Sequence, residues 1–197
     1  MYWVMYNRKE TNSMSLVLQE TRGNKTVKIF RDEWAHNPRE EYDHLFTFAC
    51  RTNREFSLDE NLTNEELKDI AENDDLIKFP LYAYVHSGVV FNMSGFHCPW
   101  DSGQTGFIYA SKEKIKKEMN WKVITKKRMK QLESIARGEL EEFNAYISGA
   151  VYGFQTIINK GKCSDCGTDK IEDGDSCWGF IGIEPEQLLK DVFEGRV

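Results

Sequence analysis

Two cysteines separated by two residues give the strongest chemical signal in the sequence, in the segment Cys163-Ser164-Asp165-Cys166-Gly167. Two thiolates at this spacing fit adjacent corners of a tetrahedral zinc site, and the glycine lets the tight turn close. A complete site needs four ligands. We expect Cys177 to be the third ligand, whereas the fourth would be Cys98, His97, a carboxylate or water.

The same spacing has two other interpretations, a redox-active pair and two loop thiols that hold no metal. A redox pair is expected between a strand and a helix, but the pattern places these two cysteines in a connection between two strands. We expect one structural Zn²⁺ as the cofactor, with Cys163, Cys166 and Cys177 as its ligands. Two thiols without a metal are the main alternative.

The densest cluster of reactive residue types is His97-Cys98-Pro99-Trp100-Asp101-Ser102-Gly103-Gln104. A thiolate beside an imidazole can form a nucleophile–base pair, so a thiol-dependent enzyme would use Cys98 with His97 or His86. Neighbouring side chains of an extended chain point apart, however. Proline, tryptophan and small residues suit a rigid turn instead, and we assign no catalytic residue. Trp100, Asp101 and Gln104 become candidate contacts for a partner.

Charge is distributed unevenly along the chain. Residues 55–75 hold nine acidic residues and one lysine, and residues 112–130 hold nine basic and two acidic residues. Two solvated helix faces are one interpretation, and steering of a partner with opposite charge is the other. We include Lys116, Lys117 and Lys127 among the candidate partner contacts.

The elements that must position these residues follow from hydrophobic periodicity and turn residues. Strands are predicted at residues 14–21, 25–30, 45–51, 81–86, 89–93, 106–110, 145–158 and 176–183. Helices are predicted to start near Thr63 or Asn64, after Ser111 and at Pro185, and to cover residues 124–147. A chain break is expected at Asn37-Pro38-Arg39.

This order of elements predicts an α+β fold, with a mostly antiparallel sheet built from hairpins and three or four helices packed on it. The 197 residues, 40% of them hydrophobic, suit a single domain over residues 1–197. Within that domain, residues 159–175 would form a small connection that resembles a zinc knuckle.

Composition also limits the compartment and the partners. The net charge of −6 argues against a protein whose whole surface binds nucleic acid. No apolar run approaches the roughly 18–20 residues of a membrane span, and residues 1–8 lack the pattern of a signal peptide. Five cysteines would leave one unpaired in a disulfide framework, so we expect a cytoplasmic protein without a membrane partner.

Three segments resemble a family of proteins encoded by bacteriophages and plasmids. The first contains Asn37-Pro38-Arg39-Glu40 and Tyr42-Asp43. The central segment contains Leu81-Tyr82, His86-Ser87-Gly88, Cys98-Pro99-Trp100-Asp101-Ser102-Gly103-Gln104 and Gly106-Phe107-Ile108-Tyr109. The last contains Val151-Tyr152-Gly153-Phe154 and Asp175-Ser176-Cys177-Trp178-Gly179-Phe180. Together they span about residues 32 to 182.

The resemblance implies a mobile genetic element as the setting and does not imply a reaction. The chain departs from the family pattern at Tyr42-Asp43-His44-Leu45-Phe46, where members tend to have Trp-Asp-Asn-Leu-Gly. It also has Arg51-Thr52-Asn53-Arg54 where members tend to carry a histidine soon after the position of Cys50. The cysteine pair at 163 and 166 is not a feature of the family.

Together these observations predict an accessory protein that binds and modulates a host protein in the cytoplasm of an infected bacterial cell. A component of antiviral defence is the favoured target, which would make the protein an anti-defence inhibitor. The sequence contains no phosphate-binding glycine loop, no Gly-x-Ser-x-Gly and no His-Glu-x-x-His. The alternatives are the thiol-dependent enzyme and a small zinc module for nucleic acid, which the net charge disfavours.

Overall fold

The computed structural model describes residues 15–52 and 56–197, and these form two compact units. One unit consists of residues 15–35 and 149–197, and the other of residues 36–52 and 56–148. The predictions for residues 1–8, Met14 and Glu55 lie outside the described residues. The sequence predicts a single domain with one sheet. The described residues form two compact units, each with its own sheet.

Nine strands and five helices are present in the described residues, and the predicted α+β class is confirmed. In chain order the strands are β1 (Leu16–Arg22), β2 (Lys25–Arg31), β3 (Thr47–Arg51), β4 (Glu60–Leu62), β5 (Leu76–Val85), β6 (Val89–Asn92), β7 (Ser102–Ser111), β8 (Val151–Lys162) and β9 (Asp169–Ile181). The helices are α1 (Pro38–Glu41), α2 (Asn64–Glu72), α3 (Lys112–Glu118), α4 (Lys126–Ile147) and α5 (Pro185–Glu194). None of these helices is long and apolar enough to cross a membrane.

The first unit contains an antiparallel sheet with the strand order β1-β2-β8-β9. Helix α5 packs on it, and its buried Leu188 and Val192 join Val27 and Ile29 of β2 in one hydrophobic cluster. A Cβ atom on Gly153 of β8 would overlap the indole ring of Trp178 on β9. The two parts of the last motif-bearing segment therefore meet here, because the glycine leaves room for the indole.

The second unit contains a sheet with the order β4-β3-β7-β5-β6, in which only the β3–β4 pair is parallel among the described strands. Helix α4 covers one face with the apolar stripe that its spacing predicts. The buried residues of that stripe are Leu132, Ala136, Leu140 and Phe143. Helix α2 packs on the opposite face, where Leu67 and Ile70 contact residues of β3 and β7.

Helix starts agree with the residues that can cap them. Thr63 accepts from the amide of Glu66, whose carboxylate accepts from the Thr63 amide at 2.7 Å, and the two form a capping box. The Ser111 hydroxyl accepts from the amide of Lys114 at 3.0 Å. Both predicted starts are confirmed, because capping depends on residues only three positions apart.

Two boundaries differ from the predictions because side chains distant in sequence decide them. The predicted helix and strand overlap at residues 145–147, and these residues belong to helix α4, since Tyr146 and Ile147 pack against the core of the unit. Strand β8 therefore starts at Val151 and not at residue 145. Strand β5 begins at Leu76 and includes Pro80, whereas the strand was predicted to begin at residue 81. Strand β6 pairs only with Tyr82–Val85 of β5, so Pro80 lies beside an open edge where a missing N–H is tolerated.

Two turns also differ from expectation. Asn37-Pro38-Arg39 does not break the chain but starts the short helix α1, in which proline takes the first position and Asn37 Oδ1 accepts from the Arg39 amide at 3.0 Å. The connection expected at 159–175 is mostly strand, because β8 and β9 pair from Val151↔Ile181 out to Lys162↔Asp169. Only residues 163–168 form the loop.

Gly138 lies inside α4 on its exposed side, and a Cβ atom there would have nothing within 4 Å. We expect Gly138→Ala to raise the free energy of unfolding by about 0.5–1 kcal/mol, since alanine loses less backbone entropy on forming a helix. Urea unfolding of the full chain measures this. A lower midpoint in the variant would show that this glycine serves a contact of its own.

Candidate functional site

A nine-residue loop, residues 93–101, joins β6 to β7 and carries the central motif; we call it the Trp100 loop. Trp100 is 91% exposed, more than any other large hydrophobic side chain in the described part of the chain. Tryptophan usually buries most of its surface. A tryptophan that contacts almost nothing in its own chain is available to contact something else.

Hydrogen bonds to backbone atoms hold the Trp100 loop at both ends. At its start, Asn92 Oδ1 accepts from the amide of Gly95 at 2.7 Å, and Asn92 Nδ2 donates to the Gly95 carbonyl at 2.8 Å. At its end, the Ser102 hydroxyl donates to the Cys98 carbonyl. The Val85 amide donates to the Asp101 carbonyl at 2.9 Å. The loop is therefore anchored to the sheet on both sides of Trp100.

Two tyrosines of β5 support the loop from below. Leu81 and Ala83 point into the core with α4, so Tyr82 and Tyr84 lie on the opposite face of the sheet. Gly95 lies against the Tyr82 ring, and the rings of Phe96 and Tyr84 are 5.6 Å apart. No role was predicted for either tyrosine, although the alternation of Leu81 and Ala83 with tyrosine indicates that the two tyrosines share one face of the strand.

Asp101 lies between the candidate thiol and one candidate base. Its Oδ2 is 3.6 Å from Cys98 Sγ and 3.7 Å from His86 Nδ1. Catalysis by a thiol needs the imidazole in contact with the sulfur, and no such hydrogen bond is present among the described residues. A carboxylate beside the sulfur also repels a thiolate. His97 is exposed and forms no hydrogen bond with Cys98 in the described part of the chain.

Gln104 lies on β7 opposite Tyr82, and its backbone carbonyl accepts from Arg51 Nη2 at 2.9 Å. Its side-chain amide donates to the Gly106 carbonyl at 3.3 Å. Between them Thr105 forms a bulge, and its buried hydroxyl has no hydrogen-bond partner in the described part of the chain. Gln104 therefore lies beside the Trp100 loop, with its amide held by the strand.

The three candidate lysines lie elsewhere on the same unit. Lys116 and Lys117 are exposed on α3, and Lys127 is exposed in the first turn of α4. No carboxylate of the described residues forms an ion pair with them. Helix α3 follows the end of β7, whereas Asp101 precedes its start, and ten residues of strand span roughly 30 Å. The predicted partner contacts therefore form two separate surfaces.

The buried side chain of Arg39 connects α1, β3 and α4, although no role beyond its motif was predicted for this arginine. Arg39 is only 3% exposed, and its Nε and Nη2 bind both oxygens of Asp59 while its Nη1 donates to Glu139 at 3.1 Å. Nη2 also donates to the Phe46 carbonyl at 2.6 Å. The guanidinium stacks on the ring of Phe48 at 3.8 Å. All of these contacts join Arg39 to other parts of the fold.

Both carboxylates of this cluster also accept from backbone amides. Asp59 Oδ2 accepts from Phe48 at 2.8 Å, and Glu139 Oε1 accepts from Leu45 at 2.9 Å. Charge-assisted bonds of this kind are stronger than neutral ones. The arginine and its two carboxylates therefore hold the start of β3 against α4, which explains Asn37-Pro38-Arg39 in the first motif without a functional site.

The cysteine pair lies at the tip of the β8–β9 hairpin. The Cys163 amide donates to the Thr168 carbonyl at 2.7 Å, and the Gly167 amide donates to the Cys163 carbonyl at 2.9 Å. Gly167 has φ +70°, a value that favours glycine. Hydrogen bonds from the hydroxyl and amide of Thr168 and from the Cys163 thiol hold the pKa of Cys166 below its usual value. Cys166 is exposed.

The third predicted ligand does not lie with this pair. Cys177 is on β9 opposite Phe154 and packs against the hydrophobic cluster under α5. Eight residues of extended strand, roughly 25 Å, separate it from the start of β9 at the tip. The structure therefore does not bring Cys177, the predicted third ligand, to the cysteine pair. No group of three metal-binding side chains is found among the described residues.

Compared with protein-family models, curated proteins and solved structures, the chain matches none of them.

Proposed function

We propose that this chain is a binding protein whose Trp100 loop docks on another protein. The observation that carries the proposal is the 91% exposure of Trp100 on a loop anchored at both ends. Tryptophan and tyrosine are enriched among the residues that dominate binding energy at protein interfaces. Asp101 follows Trp100 directly in the chain and Gln104 lies at the start of β7, so the loop also supplies polar groups of the kind found at the rim of such an interface.

The anchoring of the loop supports binding by a preformed surface. Ordering a loop on association costs free energy, and a loop already ordered in the free protein avoids that cost. Hydrogen bonds from Asn92 and Ser102, and the packing of Gly95 and Phe96 on two tyrosines, order this loop before any partner arrives. The proposed partner therefore meets a rigid loop with one large aromatic side chain.

The basic surface of α3 and the first turn of α4 supports a second, weaker contact. Lys116, Lys117 and Lys127 form no ion pair within the described residues, so they remain available to an acidic surface. Charges of this kind mainly accelerate association and depend on ionic strength. Because they lie at the other end of β7, they act on a second region of a large partner.

We further propose that the partner is a host protein and that the chain acts for a mobile genetic element, with a component of antiviral defence as the target. The family-like motifs support this setting. One of these motifs, Cys98–Gln104, overlaps the Trp100 loop. The Asn37-Pro38-Arg39 motif, by contrast, has a structural explanation. The central motif is therefore the one that offers its side chains to a partner.

Trp100→Ala tests the proposal directly. We expect the variant to fold like the wild type, because the indole contacts little of its own chain, and to weaken partner binding about 30-fold or more. The full chain serves as bait in lysate of phage-infected bacteria, and bound proteins are quantified by mass spectrometry. A partner recovered at stoichiometric level with the wild type should be lost with Trp100→Ala.

Trp34→Ala is the matched control, since Trp34 is 61% exposed on the other unit. It should recover the same partner as the wild type. Equal recovery with Trp100→Ala, or equal loss with both variants, would contradict binding through the Trp100 loop. Recovery of no host protein in stoichiometric amount from several hosts would contradict the whole proposal.

A thiol-dependent enzyme is the second candidate, because the structure brings Cys98, Asp101 and His86 together. The carboxylate lies between the other two groups, which suits a hydrogen-bonded loop better than a nucleophile and its base. Cys98→Ser separates the candidates in the same capture experiment. A binding protein keeps its partner and its effect on that partner, whereas a thiol enzyme keeps the partner at most and loses the effect.

A further inference from the structure

We propose that the hairpin tip is half of a zinc site, and that one Zn²⁺ joins two copies of this chain through Cys163 and Cys166 of each. The hairpin concerned, residues 159–172, is called the thiol hairpin. Four thiolates around one zinc are a standard closed structural site. This inference does not depend on the Trp100 loop or on any host partner.

The tip has the local geometry that a two-thiolate ligand pair needs. The Cys163 and Cys166 side chains are hydrogen-bond neighbours, and the turn between them is closed by bonds of Cys163 to Thr168 and Gly167. The left-handed backbone at Gly167 lets the chain reverse directly after the second sulfur. Both sulfurs are therefore held on one side of a tight turn before a metal binds.

The same tip cannot complete the coordination by itself. Cys177 is held roughly 25 Å along β9. The carboxylate in the loop, Asp165, accepts from the Ser164 hydroxyl at 2.9 Å and does not form a three-ligand group with the two sulfurs. A zinc ion on this pair has two open positions, which a structural site does not leave to water.

A second copy of the same tip fills those positions with the ligands that zinc prefers. Three lysines and three acidic residues give the thiol hairpin no net side-chain charge before the thiols ionise, so two tips approach without strong repulsion. Ile171, next to the tip, is 65% exposed and offers an apolar contact. Strand β9 is an edge of the sheet, so the hairpin has a free side for its twin.

The test uses the untagged full chain, purified without chelator and kept reduced. We expect about one zinc per two chains by elemental analysis and the mass of a dimer by light scattering. A chelator should give monomers, and Zn²⁺ alone should restore the dimer. Co²⁺ in place of zinc should show the absorption of a four-thiolate tetrahedral site.

The variant Cys163→Ser/Cys166→Ser should lose the zinc and stay monomeric, with unchanged secondary structure by circular dichroism because these residues lie in an exposed loop. Its melting temperature should fall to that of the chelated wild type, since metal binding contributes folding energy. Cys177→Ser and Cys98→Ser are the matched controls and should keep both the zinc and the dimer.

Three results would overturn the inference: about one zinc per monomer, which means that one chain supplies all its ligands; protein without zinc; or a dimer that survives the chelator. Loss of zinc in Cys98→Ser or Cys177→Ser would likewise assign the remaining ligands to the same chain. None of these outcomes bears on partner capture by the Trp100 loop, so the two proposals fail separately.

Discussion

Replacing Arg39 with alanine is expected to destabilise the protein by about 3–5 kcal/mol, because it removes one partner of a buried ion pair and leaves the other charges behind. The side chains of Asp59 and Glu139 are only 19% and 12% exposed, so water replaces the lost guanidinium only in part. Urea unfolding of wild type and variant measures the change. For a protein of ordinary stability this is a large part of the total.

Arg137→Ala provides the matched control for the arginine. Arg137 lies on α4 and pairs with Glu133 at 3.2 Å, but both side chains are about half exposed. Pairs of this kind contribute roughly 0.3–0.5 kcal/mol. A loss in Arg39→Ala as small as that in Arg137→Ala would show that the buried cluster does not fix the sheet against α4.

A combined variant identifies the cause of the loss. In Arg39→Met/Asp59→Asn/Glu139→Gln no charge remains, and the amide oxygens still accept the backbone bonds that the carboxylates accepted. We expect it to be more stable than Arg39→Ala, because the cost arises from unpaired buried charge. A combined variant less stable than Arg39→Ala would assign the larger contribution to the charge-assisted bonds that the two carboxylates accept from backbone amides.

Gly106→Ala is expected to have the second large effect, on the order of 3 kcal/mol or more. A Cβ atom on Gly106 would overlap the carbonyl oxygen of Ala49 and lie 2.8 Å from its carbonyl carbon and 2.9 Å from Cys50 Cα. These are backbone atoms of the neighbouring strand β3, which cannot rotate away as a side chain can. The pairing of β3 with β7 must open to admit the methyl group.

Gly103→Ala is the control on the same strand, since a Cβ atom there has nothing within 4 Å. It should change the free energy of unfolding by less than about 1 kcal/mol. Soluble yield, circular dichroism and urea unfolding measure how much each of the two substitutions destabilises the protein. A Gly106→Ala protein as stable as Gly103→Ala would mean that the two strands are further apart than the structure places them.

The sequence by itself determined the elements whose signals are local. Thr63 and Ser111 start helices because their oxygens meet amides three positions later. The apolar stripe of α4 marks its buried face, and Gly23-Asn24 marks the turn between β1 and β2. These signals also sufficed for the α+β class, and the unusual motif around Trp100 singled out the loop that carries the proposed function.

The tertiary structure alone decided which side chains meet. Arg39 binds Asp59 and Glu139, which lie 20 and 100 positions away along the chain. No local sequence pattern predicts such a pairing. Cys177 is the opposite case. It lies only eleven positions after Cys166 in the sequence, and yet the extended strand β9 carries it far from the tip of the β8–β9 hairpin. Strand pairing and helix packing decide which side chains come into contact. Spacing in the sequence limits the distance between two residues only when they share a turn or a helix cap.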